Sequence, residues 1–283
     1  MKETSGDAGW FVGVDPDDVE AAAMAIREKR ADAPCDWPTV AVESGYAADR
    51  DEYYERLHEA TLRAAQDVVR ERERADDQQL IHAIRAHDDC QRTANELAER
   101  IAEWGGSLLD ETGTGVEYAR EIASRDPDDP TEARLVSLAE RCAGLSDEAA
   151  ELREYVERQA PDVSPNLAAM AGPVLAARLI ALAGGLEDLA KLPSSTVQVL
   201  GAEDALFAHL RGHGPSPKHG VIFTHEYVRG IDPEHRGSAA RALSGKLTIA
   251  ARVDHYSGER KPELDAELEE RIATIRARGG ETA

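Results

Sequence analysis

Cysteine is scarce and badly placed for bridging. Cys35, Cys90 and Cys142 stand alone in 283 residues without CxxC spacing, which supports neither a disulfide framework nor a zinc ribbon. Aromatic residues make up only 5% of the chain. That is little for a β-sandwich core, and the abundance of alanine favours helices packed through Ala and Leu. Lysine is found only at positions 2, 29, 191, 218, 246 and 261. The longest apolar run, 176–184, is interrupted by Arg178 and is far too short to span a bilayer. The opening MKETSGDAGWF turns acidic within a few residues and lacks a charged-then-apolar signal, so a cytoplasmic location is expected.

What the chain has in excess is negative charge. Asp and Glu number 55 against 33 Lys and Arg, a formal net charge of −22. Heavy acidity with scarce lysine is the pattern of a surface adapted to a salty cytoplasm, where hydrated carboxylates maintain solubility. At molar salt the Debye length falls to roughly 3 Å, so net charge does not forbid an RNA partner. One block departs from the trend. Between residues 194 and 257 seven basic side chains oppose six acidic ones, a local charge of +1, and six of the nine histidines fall there too. A neutral, His- and Gly-rich island in an acidic chain is where a binding surface is expected.

Periodicity divides the chain into four segments. In 1–50, Trp10-Phe11-Val12 before Gly13 reads as a short strand or a docking strip. Asp15 and Pro16 read as the N-cap and first position of a helix running to about Arg30. From Asp51 to Glu103 there is neither proline nor glycine. A heptad stripe runs through Ala83, His87, Cys90, Ala94, Leu97, Ile101 and Trp104, and a second through Leu135, Leu138, Cys142, Leu145, Ala149, Leu152 and Val156. Gly105, Gly106, Gly113, Gly115, Pro127 and Pro130 break the chain between them. Segment 51–163 therefore reads as an antiparallel coiled-coil hairpin. Its first helix, if continuous, is ~80 Å long, too long for one hairpin to bury, so self-association is expected.

Segment 164–260 opens with an Ala-rich helix from Ser164-Pro165 through Leu182, apolar on most faces and so buried. A helix over 202–211 follows, then a loop rich in Gly, Pro and His, and Gly220-Val221-Ile222-Phe223 as a short buried strand or extended segment. A helix over 236–256 turns Leu243, Leu247, Ile249 and Ala250 inward, and Phe207 and Phe223 read as core. Residues 261–283 read as a charged, amphipathic helical tail that frays at Gly279-Gly280.

Catalytic signals are weak. Ser244-Gly245-Lys246-Leu247 fails the phosphate-loop pattern twice, with alanine at 240 and leucine after the lysine. No G-x-S-x-G elbow is present. His209, His213, His219 and His225 lack Cys or paired carboxylates at ligand spacing and read as scattered surface histidines. A binding signal is stronger. Lys218-His219-Gly220 ends a loop where glycine permits close backbone approach, and Arg236, Arg241 and Lys246 project from the following helix. Five-residue steps drift around a helix, so a solvated face stays open beside a basic surface.

The runs VLAARLIALAGG (174–185), LAKLPSSTVQVLGAEDALFAHL, PKHGVIF and RGSAARALSGKLTIAARVDHYSG resemble the Nop domain. The likeness covers about 76–258 and is most specific over 176–230. It points to the archaeal Nop-domain core proteins of box C/D small ribonucleoproteins, the partners of fibrillarin, here of a haloarchaeal type with a shortened N-terminal domain. The resemblance implies a mainly α fold: a shortened N-terminal α/β region (1–50) docking fibrillarin through Trp10 and Phe11, a coiled-coil dimerisation region (51–163), a helical Nop domain (164–260) and a charged tail (261–283). The homodimer is expected through Leu97, Ile101, Leu135, Leu138, Leu145 and Leu152. Family contacts to guide RNA and a kink-turn-binding, ribosomal-protein-like subunit carry over to Gln198, Gly201, Ala202, Glu203, Lys218, His219, Gly220, His225, Arg236, Arg241, Lys246 and Arg252.

The implied role is a scaffold for RNA 2′-O-methylation with no catalytic residue, metal or cofactor of its own, S-adenosylmethionine being bound by fibrillarin. The chain departs from the family pattern in three places. Asp204 and Ser238 stand where lysines are usual, the motif begun by Glu103-Trp104 is not continued, and the region before the coiled coil is short. The alternative is a coiled-coil adaptor that uses a Nop fold without binding RNA. A third reading, an enzyme in its own right, predicts bound nucleotide or metal.

Overall fold

The computed structural model describes residues 9–29 and 34–280. Among them every regular element is helical, with no strand, and the chain forms two compact units that divide between Ala75 and Asp76.

The first unit packs three helices: α1 (Val19–Glu28), α2 (Trp37–Glu43) and α3 (Arg50–Glu73). The expected α/β character is absent from its described residues. Gly9–Val14 is a turn, closed by Val12 N–H to Gly9 O at 3.1 Å and Val14 N–H to Phe11 O at 3.0 Å. Helix α1 starts later than expected, because Asp18 and not Asp15 is its N-cap, accepting from Ala21 N–H at 2.9 Å. Asp15-Pro16 forms the turn before it, and Arg30 lies outside the described residues. Phe11 is buried, stacking on Tyr46 with centroids 5.2 Å apart, and Trp10 meets Tyr46 edge-on at 5.4 Å. The Trp10-Phe11 strip is thus the core of this unit. Residues 51–75, read with the coiled coil, pack instead on α1 and α2. The single long first helix is broken at Arg74-Ala75, where Asp76 and Asp77 suit the positive start of a new helix better than the negative end of an old one.

The second unit begins with α4 (Asp76–Leu108), which runs antiparallel to α6 (Pro130–Val163). His87 Nδ1 meets Ala149 O at 2.8 Å, and Cys142 Sγ donates to Ala94 O at 3.2 Å, so numbers rise on one helix as they fall on the other. The heptad stripes zip these helices together within one chain. Ile101 and Leu135 are fully buried, Leu97, Leu138 and Leu145 pack on the same cluster, and Leu152 packs on the larger core. The Gly- and Pro-rich connection holds a further helix, α5 (Gly115–Ala123), whose Tyr118, Ala119 and Ile122 are buried against the pair.

The expected Ala-rich helix is two helices, α7 (Pro165–Ala171) and α8 (Pro173–Ala183), bent by 118°. Gly172 at φ +80° makes that corner, and Pro173 starts the second helix where its missing N–H costs nothing. Among the described residues no single helix is long and apolar enough to cross a membrane. Short helices α9 (Leu186–Lys191), α10 (Ser194–Val199) and α11 (Glu203–Leu210) lead to a 3₁₀ turn (Val221–Thr224), in place of the expected extended segment. Helix α12 (Glu226–Arg229), then α13 (Arg236–Tyr256) and α14 (Glu263–Gly280) complete the unit. The tail is no loose appendage. Leu264, Leu268, Ile272 and Ile275 are buried in the same core as Leu179, Leu243 and Leu247, each worth about 1.5–3 kcal/mol on burial. Ile249 and Phe207, both expected inside, are instead exposed.

Candidate nucleic-acid interface

The neutral block is organised around one glycine. Helix α10 ends in the turn 200–202, and the loop after α11 returns so that Gly220 lies directly on it. Gly220 N–H donates to Gln198 O at 2.9 Å, and Val221 N–H to Leu200 O at 2.8 Å. A β-carbon at 220 would stand 2.0 Å from Leu200 O and 2.7 Å from Val199 O. Only glycine lets the two backbones approach so closely. The Gln198 side chain ties the far side, donating from Nε2 to Lys218 O at 2.7 Å. Gly201 turns the chain at φ +80°, and its N–H is held by Glu203 Oε1 at 2.8 Å. Ala202 then caps α11. The structure thus gathers Gln198, Gly201, Ala202, Glu203, Lys218, His219 and Gly220 into one clamp.

Behind it the His219 ring stacks on Phe223 at 4.6 Å, and the Arg236 guanidinium lies 5.5 Å from the same ring centroid. Arg236 also donates from Nε to Ile231 O at 3.0 Å. Burial first, and then the Arg236 cation, hold His219 below the ordinary histidine pKa, so its ring is neutral at pH 7. His225 is likewise lowered, mainly by burial. Its Nε2 lies 3.1 Å from Met170 O, and its Nδ1 accepts from Tyr227 N–H at 3.1 Å. That pattern requires the neutral ring protonated on Nε2. His225 is therefore a brace between α7 and α12.

A depressed histidine pKa gives stability that is complete above the unfolded value of about 6.5 and is lost as pH falls through it toward the folded value. The denaturation midpoint is expected to drop between pH 7.5 and 5.5. In His225→Gln, which keeps a donor and an acceptor, that drop should shrink. An equal drop in the variant would contradict the role given to His225.

The basic positions differ in what they have left to offer. Arg252 donates to Ala190 O at 2.9 Å and Leu192 O at 3.4 Å, fastening α13 to the end of α9. Lys246 pairs with Glu267 of α14. Lys218 and Arg241 are exposed, and among the described residues their side-chain cations are unpaired. Arg236, Arg241 and Lys246 do not make one stripe, since Arg241 is exposed while the other two are half-buried. One surface was missed from sequence. Helix α11 buries no residue and presents Phe207 (54% exposed) and Leu210 (70% exposed) side by side. The signal was present: EDALFAHL is apolar on more than one face, so one apolar face had to point outward. Among the described residues no group of His, Cys, Asp and Glu is arranged to hold a metal ion.

A family model described as Nop, "snoRNA binding domain, fibrillarin", matches residues 78–275, taking in nearly all of the hairpin, the clamp and most of α14. An uncharacterized NOP5 family protein of Methanocaldococcus jannaschii is 34% identical over 274 residues, covering 84% of this chain and 66% of that protein. Nucleolar protein 58 of Schizosaccharomyces pombe is 31% identical over 238 residues, covering 69% of this chain and 46% of its own length. Nucleolar protein 56 of Dictyostelium discoideum is 37% identical over 139 residues, or 49% and 26%. The chain thus spans between about a quarter and two thirds of the length of these relatives. Its fold is similar to that of a chain in the crystal structure of a fibrillarin/Nop5p complex, with a TM-score of 0.53, 24% identity and 91% of both chains covered. With the family match spanning most of its residues, this chain belongs to the Nop family.

Proposed function

We propose that the protein is a non-catalytic scaffold of a box C/D ribonucleoprotein, holding fibrillarin and guide RNA together for 2′-O-methylation of rRNA and tRNA. The observation that carries this reading is the clamp. It is a close-packed backbone surface that carries the unpaired cation Lys218, within a nearly neutral block whose helix α13 presents a second, Arg241, on a chain of charge −22. Rigid backbone and a few cations suit recognition of RNA by phosphate contacts and shape. The apolar pair Phe207 and Leu210 on α11 is assigned to the kink-turn-binding subunit, so that RNA and protein are held side by side. Fibrillarin, which brings S-adenosylmethionine, is assigned to the first unit. There Trp10 and Phe11 support the fold from inside, and Val12, Met24, Tyr54, Leu62, Val68 and Val69 are the large exposed apolar side chains among the described residues. A homodimer through the outer faces of α4 and α6, and a salty cytoplasm as the setting, complete the proposal.

The test is a titration with a kink-turn guide RNA across a series of potassium chloride concentrations. Lys218→Ala combined with Arg241→Ala is expected to weaken binding at least tenfold and to flatten the slope of log affinity against log salt by about 2. Unchanged assembly by the double variant would sink the RNA surface. No RNA-dependent shift at multimolar potassium would favour the adaptor reading. Light scattering on the same preparation reports the dimer, and a monomer at high salt and high concentration would remove that part of the proposal.

A further inference from the structure

A cleft of about 650 Å³ opens beside the clamp, sharing Gly201, Gly220, Val221 and Phe223 with it and adding side chains of α4 and α8 that the proposed function leaves unused. One wall is α4, with Arg85 and Asp88. The other is α8, with Arg178 and Leu182, and Gly201 and Phe223 close the end. Resting on the RNA-binding reading above, we propose that this cleft receives a single unpaired nucleotide of the RNA held at the clamp. Its base lies inward against Leu182 and the two guanidinium planes.

The walls are built and fixed. Asp88 pins Arg178, with Nε to Oδ2 at 3.1 Å, and Arg85, an exposed residue, donates to Ala181 O at 3.0 Å. Planar guanidinia held in this way stack on flat rings and donate to their edges. The floor is apolar and uncovered: Leu182 is 46% exposed, although α8 on either side of it is core. Two arginines and one aspartate leave a single positive charge in a chain of −22, which complements a ligand that carries its own phosphate. Asp88 supplies an acceptor for a base amine at the same edge.

Continuity with the clamp favours RNA over other occupants. Gly201 and Gly220 belong to both, so a strand held at Lys218 reaches the cleft directly. A β-carbon at Gly201 would stand 3.3 Å from Leu182 Cδ1 and from Val221 Cβ, crowding the rim. The concave shape excludes a base-paired duplex and admits a base turned out of its stack. Phe223 is already stacked on His219 and capped by Arg236, so the base rests on Leu182 and the arginines.

The test uses the full chain and a kink-turn RNA in which each unpaired nucleotide is replaced in turn by an abasic site. Wild type is compared with Leu182→Trp, which fills the cleft, and with Arg85→Ala at an exposed position, thermal melts confirming that both fold. One abasic position is expected to weaken wild-type binding about tenfold. Leu182→Trp should weaken binding of the intact RNA by a similar factor, and that abasic site should then cost the variant nothing more. Arg85→Ala should fall between the two. Intact RNA bound by both variants as by wild type, or abasic losses equal in variant and wild type, would overturn the inference. So would protection of Leu182→Cys from a thiol reagent by the partner protein alone, since the occupant would then be polypeptide. If wild type binds none of these RNAs, the RNA-binding reading itself fails. If Lys218→Ala with Arg241→Ala weakens binding and the cleft variants do not, only the cleft assignment fails.

Discussion

An alanine at position 220 is expected to destabilise the unit Asp76–Ala283 by about 4 kcal/mol and to abolish binding at the clamp. The added carbon meets backbone, 2.0 Å from Leu200 O, and no side chain can swing away to make room. Relief requires the loop to lift. That breaks the bonds from Gly220 N–H to Gln198 O and from Val221 N–H to Leu200 O, and each buried group left unsatisfied costs about 1–3 kcal/mol. For a unit of this size the melting temperature should fall by about 10 °C. Gly214→Ala is the control, because nothing lies within 4 Å of its added carbon, and surface changes of that kind stay within about 0.5 kcal/mol. A Gly220→Ala protein that melts within about 2 °C of wild type would refute the close-approach account.

Asp254→Ala should cost nearly as much, about 3–4 kcal/mol, by a different route. Asp254 is buried in the last turns of α13. Its Oδ1 accepts from Asn166 N–H at 2.9 Å and Nδ2 at 2.6 Å, and its Oδ2 from Leu167 N–H at 2.8 Å. A carboxylate thus serves the amides that open α7, where a negative charge is favoured. Asn166 passes the connection on, donating to Glu259 O at 2.8 Å and accepting from Lys261 N–H at 2.6 Å. Three elements therefore meet at one side chain: α7, α13 and the link into α14. Truncation leaves buried donors unmet and frees that link, so a lower denaturant midpoint and faster proteolysis near 257–262 should appear together. Asp254→Asn keeps the shape but turns an amide toward an amide, and about half the loss is expected. A cost below about 1 kcal/mol for Asp254→Ala would show that solvent or a rearranged side chain takes over the cap.

The long helices were legible because their signal is repetitive. The stripes through Ala94, Ile101, Leu135 and Cys142 recur at a spacing that only side-by-side helices bury, and those residues are buried. Breaks were harder to read. Arg74-Ala75 contains no glycine or proline, and the acidic pair Asp76-Asp77 is a weak local mark of the boundary in so charged a segment. At Gly172-Pro173 the punctuation was present but lay inside an apolar run that reads as one buried helix. The charged tail showed amphipathic spacing, yet spacing does not say which core a helix joins.

The site divides in the same way. That residues 194–257 form the place to look followed from charge alone, because a near-neutral block in a chain of −22 is a compositional fact that folding does not alter. Glycine at 220 and the likeness of the surrounding motif were also visible there. Which cations are free was not. Arg241 and Arg252 are alike on paper and lie on one helix, but Arg252 is spent on the carbonyls of Ala190 and Leu192 while Arg241 faces solvent. From sequence His225 reads as one of several scattered surface histidines, whereas its two ring nitrogens are engaged inside the fold. Composition and periodicity are properties of neighbours along the chain, so the sequence by itself determined the helical class and the location of the neutral block. Donor availability, the backbone contact at Gly220 and the cleft beside it depend on residues from 20 to 140 positions apart meeting in space, and those only the tertiary structure decided.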